Sequence, residues 1–211
     1  MTFADSFNLS ANLYAMLTYI ILLVGVILGG NRKQPAFRWF LVAILVNLVG
    51  IISEYAVYVV GGVPGTARYV LCRILDYISY LAAGVWYFAF GMYLVEYLKL
   101  RTKLHGVITR LMLIYSIMSI VLATLAQFVP LYSSFDANNN YIQMPCFWLS
   151  QIFPILALLT SAAVTVFYIR QLRPREWFSM LLYPIMPIAC YIIEIICPDI
   201  WVAHIGCALT M

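Results

Sequence analysis

Apolar residues run almost unbroken through six stretches of the chain, at 11–30, 38–61, 69–98, 107–130, 146–170 and 177–197. At about 1.5 Å of rise per residue, each is long enough as a helix to cross a hydrocarbon core of about 30 Å. A seventh run starts at Ile200 and is still apolar at Met211, where it covers only about 18 Å of that thickness. It is either a short half-span or, the favoured expectation, the front of a helix that continues in a longer protein. Between the runs lie short polar connections. GGVPGTA (61–67) is a tight Gly/Pro link and LYSSFDANNNYIQMP (131–145) is Asn-rich and turn-prone, and neither reads as a folded domain. The pattern predicts an all-α integral membrane protein, a single bundle of six full transmembrane helices plus a truncated seventh.

Composition sharpens this reading. Of 211 residues 65% are hydrophobic and 9% charged, with a mean hydropathy of +0.96, against roughly 25% charged residues in a soluble domain. Soluble and amphitropic roles are thereby excluded. The net charge of +4 does not point to nucleic acid, because the basic residues fall in short clusters between apolar runs. Ten of them, Arg32, Lys33, Arg38, Lys99, Arg101, Lys103, Arg110, Arg170, Arg173 and Arg175, lie at connections on one side, and only Arg68 and Arg73 lie on the other. The positive-inside rule then puts the N-terminus outside and the three basic connections in the cytoplasm. The start MTFADSFNLSAN has no basic residue and so lacks the charged beginning of a cleaved signal peptide. The expected location is the plasma membrane, with the lipid bilayer as the first partner.

The stretch from Arg68 to Arg101 stands out. A lipid-facing span is apolar throughout, because an unpaired polar group in hydrocarbon costs several kcal/mol. This one carries Arg73, Asp76 and many tyrosines, as expected of a central helix whose polar side faces other helices. Arg73 and Asp76 stand three residues apart and are expected to pair on one face. Asp76 is also one of four ionisable residues at similar depth, with Glu54, Glu194 and His204. Such residues are rare inside membranes and usually face a bundle interior or a wet cavity, so this level suggests a pocket opening outward. Glu54, Tyr58, Asp76, Tyr80, Gln151, Tyr191, Glu194 and His204 are its candidate ligand-binding residues, with Tyr55, Tyr77 and Trp148 as further lining candidates. The alternative is plainer: Asp76 pairs with Arg73, Glu54 and Glu194 are hydrated near the headgroups, and the tyrosines form an interfacial belt.

Other features say less. Pro154, Pro184 and Pro187 fall inside predicted helices, where each removes a hydrogen bond and can bend the helix. Cys72 and Cys146 both sit at outer helix ends, and the sequence leaves open whether they are bridged. Cys190, Cys197 and Cys207 read as small core residues. The chain has no Gly-rich phosphate loop, no H-E-x-x-H, no Cys/His metal spacing and no G-x-S-x-G. No catalytic residue, metal site or cofactor is therefore expected within these residues, and His105, in a basic connection, reads as solvated.

The outside-in topology, the short connections and the segment FYIRQLRPREWFSMLLYPIMPIACYIIEI, followed by a helix with His and Gly, resemble the N-terminal membrane sensor modules of bacterial signalling proteins. In those proteins a multi-helix bundle precedes a cytoplasmic diguanylate cyclase or histidine kinase domain. The resemblance implies a receptor module for an unknown small molecule or membrane stimulus, with its output domain beyond Met211 and a homodimer formed through that domain. It transfers no residue roles. Microbial rhodopsins fit less well, since no lysine follows Lys103 to carry retinal and no threonine follows Asp76 where that family pairs one with its aspartate. G-protein-coupled receptors also fit poorly, because VEYLK stands where they carry Asp-Arg-Tyr. A small transporter or channel using intramembrane carboxylates stays open as the second class, although no internal repeat is visible. The topology is tested in a cysteine-free variant carrying Lys103→Cys: a membrane-impermeant thiol reagent is expected to leave it unlabelled in intact cells, and labelling there would reverse the orientation.

Overall fold

The computed structural model describes residues 3–30, 33–100, 102–197 and 200–210, so Arg32, Arg101 and Met211 lie outside the described residues. The chain is all-α apart from one hairpin: α1 (Phe3–Gly29), α2 (Pro35–Val60), α3 (Thr66–Tyr97), α4 (Thr102–Leu125), β1 (Ser133–Phe135), β2 (Tyr141–Gln143), α5 (Trp148–Phe167), a 3-10 turn at Ile169–Gln171, α6 (Pro174–Ile196) and α7 (Ala203–Thr210). Among the described residues, α1 to α6 are the six helices long and apolar enough to cross a membrane. Each packs against its neighbour in sequence, and α7 folds back against α6 and α1. The connections holding Lys33, Lys99 and Arg173 mark one end of the bundle, here the basic end, and the hairpin marks the other.

Helix positions follow the apolar runs, with two informative differences. The helix α1 starts well before residue 11, because Asn8 and Asn12 are buried in the bundle and add polar turns to the apolar run. The helix α4 is shifted toward the N-terminus relative to 107–130; after Leu125 the chain turns over at Ala126–Val129, so the apolar tail AQFV is not helical span. Exposed side chains are apolar along the helix flanks, for example Ile21, Leu28 and Phe167 at 71%, 82% and 78% exposure. That exterior suits hydrocarbon and is costly in water.

The central position of α3 shows in its burial: 56% of its apolar window is inside the bundle, against 22% for α1 and for α4. Its buried residues include Ala82, Gly84, Ala89 and Gly91, which lack the bulk to hold neighbours apart. A Cβ on Gly84 would lie 2.9 Å from Ile120 Cγ1, one on Gly91 would lie 2.5 Å from Met112 Cγ, and one on Gly50 of α2 would lie 3.3 Å from Ala82. Helices in hydrocarbon gain little from burying apolar area and associate through close packing of this kind. Toward the basic end the axis is filled by rings: Phe90 stacks on Tyr183 of α6 at 3.9 Å between centroids, with Trp86 alongside. Tyr19, Ile44, Leu94, Met112 and Leu158 complete a fully buried core.

The turn-prone connection between α4 and α5 forms a hairpin, which the sequence reading did not identify. Ser133, Ser134 and Phe135 pair antiparallel with Gln143, Ile142 and Tyr141. Asp136 closes the five-residue loop by accepting from the Asn138 and Asn140 backbone N–H groups and from the Asn140 side chain at 2.7–2.8 Å. Asn139 adopts φ 62°, a left-handed conformation that asparagine tolerates, and its amide donates to the carbonyls of Val63 and Gly65. The hairpin is thus pinned to the Gly-rich link between α2 and α3.

Replacing Gly91 by Leu is expected to destabilise the bundle by roughly 1–3 kcal/mol through overpacking against Met112. Combining it with Met112→Ala should recover part of the loss, which thermal unfolding of the single and double variants measures. Simple addition of the two losses would show that α3 and α4 do not meet closely there.

Candidate functional site

Alternation of helix direction brings particular helix ends to one level. Glu54 lies near the C-terminal end of α2, Asp76 in the first third of α3, Gln151 in the first turn of α5, Glu194 in the last turn of α6 and His204 in the first turn of α7. All five therefore fall at the hairpin end. On α3 the residues Asp76, Tyr80, Ala83 and Tyr87 recur at spacings of four, three and four, which keeps them on one helix face. Together they border a cavity of about 90 Å³, room for a molecule of a few heavy atoms or a small group of waters.

The structure places Glu54, Asp76, Tyr80, Gln151, Tyr191, Glu194 and His204 on the wall of this one cavity. Tyr58 stands behind the wall: its ring packs against Trp201 at 5.0 Å, and its hydroxyl accepts from Asn8. Tyr55, Tyr77 and Trp148 do not border it; Tyr77 turns to Thr124 on α4, and Trp148 is half exposed. Sequence reasoning missed Tyr132, Tyr141 and Trp201, which also border this wall. The two tyrosines belong to the chain segment around the hairpin, and their only signal was the pair of short runs SSF and YIQ flanking DANNN, a hairpin pattern. Burial pushes the Tyr132 phenol up to about 12, and burial followed by the nearby Asp76 raises Tyr141 well above its ordinary value, so both stay neutral.

The expected Arg73–Asp76 pair is not formed. Arg73 Nη2 donates to the Gln127 carbonyl at 2.6 Å, and Asp76 Oδ2 accepts from the Ser133 hydroxyl at 2.6 Å. Three residues along a helix are separated by about 60° around its axis. That offset sends Arg73 toward the end of α4 and Asp76 under the hairpin. Nor do the cysteines bridge: Cys72 and Cys146 are free thiols.

A network fixes α7 to the wall. Glu194 Oε1 accepts from the backbone N–H groups of Val202 and Ala203 at 2.8 and 2.7 Å, so the carboxylate caps α7 at its N-terminus. His204 sits between α7 and α2, with Nδ1 3.0 Å from Asn47 Oδ1 and Nε2 2.6 Å from Glu54 Oε2. Asn47 Nδ2 donates to Tyr19 on α1, which leaves its Oδ1 to accept from the imidazole. One proton then lies between His204 and Glu54. The Gln151 side chain is 94% buried by its 6% exposure and borders the cavity, and its carboxamide has no hydrogen-bond partner among the described residues. No group of three His, Cys, Asp or Glu side chains among the described residues has metal-binding geometry.

Compared with protein-family models and with curated proteins, the chain matches none.

The hairpin that supplies Ser133 and Tyr141 depends on the Asp136 turn. Hydrogen bonds from Asn140, and then Asn138, hold the Asp136 carboxyl below the usual carboxylate range. A carboxyl held low in the fold stabilises it fully above the ordinary Asp value of about 3.9 and loses that contribution as pH falls through the lower folded value. Asp136→Ala is therefore expected to lower the thermal midpoint by a constant amount from neutral pH down to about pH 4, and by less under more acid conditions. A difference independent of pH would show that the carboxylate does not hold the turn.

Proposed function

We propose that the chain is a transmembrane sensor module that binds a small polar molecule in the cavity at its hairpin end and transmits occupancy through α7. The observation that carries this is the convergence of α2 to α7 and the hairpin on one cavity bordered by Glu54, Asp76, Gln151, Glu194 and His204. In the proposed arrangement the six long helices cross the plasma membrane with the N-terminus and hairpin outside and the basic connections in the cytoplasm, as the ten-to-two charge split requires. The cavity then opens to the exterior, and the output is a cytoplasmic domain of the diguanylate cyclase or histidine kinase kind, acting as a homodimer, in keeping with the sensor-module resemblance.

The seat of α7 supports this direction of signalling. Its first turn is held by the Glu194 cap and by the His204 contacts to Glu54 and Asn47, and three of these four side chains border the cavity. A ligand that competes for either carboxylate changes the contacts that position α7. A channel or transporter fits the structure less well, because Trp86, Phe90 and Tyr183 close the axis between the cavity and the basic end.

A covalent occupant tests the proposal without a known ligand. In a cysteine-free background, Ser119→Cys on the cavity wall is expected to react in intact cells with an impermeant methanethiosulfonate added outside. The adduct should alter hydrogen–deuterium exchange at residues 98–106, at the basic end. Failure to react from outside, or reaction with no change at the basic end, would overturn the sensor reading.

A further inference from the structure

The side chains around the cavity favour one charge class of ligand. Its ionisable wall residues, tyrosines apart, are Glu54, Asp76, Glu194 and His204, three acids against one base. Arg73, the nearest cation in sequence to Asp76, is committed to the Gln127 carbonyl and faces a separate groove on the flank. Each acid spends one oxygen on a structural partner: Glu54 Oε2 on His204, Asp76 Oδ2 on Ser133, Glu194 Oε1 on the α7 backbone. The second oxygen of each has no partner among the described residues. Since His204 and Glu54 share one proton and balance each other, Asp76 and Glu194 are left without a cation.

Carboxylate oxygens that face a small cavity without a protein partner favour donors or opposite charge in whatever occupies it. Much of the remaining wall is aromatic, alongside Ser79, Ser119 and Ser150. Tyr80 packs against Tyr132 at 5.2 Å, and Tyr141 against Trp201 at 4.4 Å. Ring faces of this kind attract cations, tryptophan most strongly. Gln151 adds an unpartnered carboxamide, able to accept two hydrogen bonds and donate two.

We infer that the ligand is a small organic ammonium ion, bound by the free oxygens of Asp76 and Glu194 and by the carboxamide of Gln151, with its alkyl part against the Tyr141–Trp201 rings. This rests on the sensor reading and names the chemistry of its ligand. The cavity volume of about 90 Å³ limits that ligand to a few heavy atoms. An anion would face three carboxyls, and a neutral polyol would leave two of them without counter-charge.

The test uses the full chain in lipid nanodiscs and three probes of one frame: ethanolamine, a cation at neutral pH, ethylene glycol, which is neutral, and glycolate, an anion. Sodium and potassium chloride at equal concentration control for simple ions. Ethanolamine alone is expected to raise the thermal midpoint and to slow modification of Ser119→Cys. Asp76→Asn, which keeps the shape and an acceptor for Ser133, should weaken its half-saturating concentration by about tenfold or more. Gln151→Leu should weaken it to a smaller extent, providing a second variant if the first does not fold. Equal effects of ethylene glycol, or of sodium or potassium, would overturn the ammonium assignment. If no probe protects Ser119→Cys while the methanethiosulfonate adduct still alters the basic end, the ammonium inference fails and the sensor reading stands. If the adduct is silent as well, both fail.

Discussion

Polar groups inside this bundle can find partners only within the protein or in the cavity, because the apolar exterior offers none. That requirement explains where the chain departs from simple helical packing. Asp76 is satisfied from a hairpin 57 residues away in sequence, through Ser133. Glu194 is satisfied by the first turn of the next helix, and Glu54 by an imidazole on that same turn. The hairpin and α7 are thus held in place by the acids beneath them as well as by the Asn139 contacts to the α2–α3 link and by packing of α7 on α6 and α1.

Packing and polarity divide the bundle along its axis. Toward the basic end, glycine and alanine on α3 let α2 and α4 approach closely, and the Trp86, Phe90 and Tyr183 rings fill what remains. Toward the hairpin end, α5 and α6 present Gln151 and Glu194, and the rings lie around a space and do not fill it. The closed half gives α3 a rigid seat, and the open half leaves polar atoms with unused hydrogen-bonding capacity. A rigid base under an incompletely satisfied cavity is the arrangement expected of a binding site, in which an occupant completes what the protein leaves open.

The cavity wall and the bundle interior are joined directly through α7. The α7 helix begins at the wall, capped by Glu194, and packs along α6 and α1. Gly206 lets it approach Cys190 so closely that a Cβ there would lie 2.6 Å from the sulfur. Under the proposed function, a change at the cap is carried through this tight contact without any need for helix bending, and the prolines of α5 and α6 have no required part in it.

The sequence by itself determined the six long helices, their approximate spans, the central place of α3 and the common depth of Glu54, Asp76, Glu194 and His204. These follow from apolar run length and from alternation of helix direction, both local properties of the chain. Tertiary structure decided which partners the polar groups take. Arg73 and Asp76 looked like a pair because spacing alone was visible, but neighbouring backbone and the hairpin compete for each of them, and the nearer partners win. The hairpin escaped the sequence reading because three-residue strands carry almost no periodicity, and their stability comes from the Asp136 turn and from docking on residues 63–65. Trp201 and Tyr141 meet 60 residues apart, a contact that exists only once α7 has folded back to satisfy Glu194.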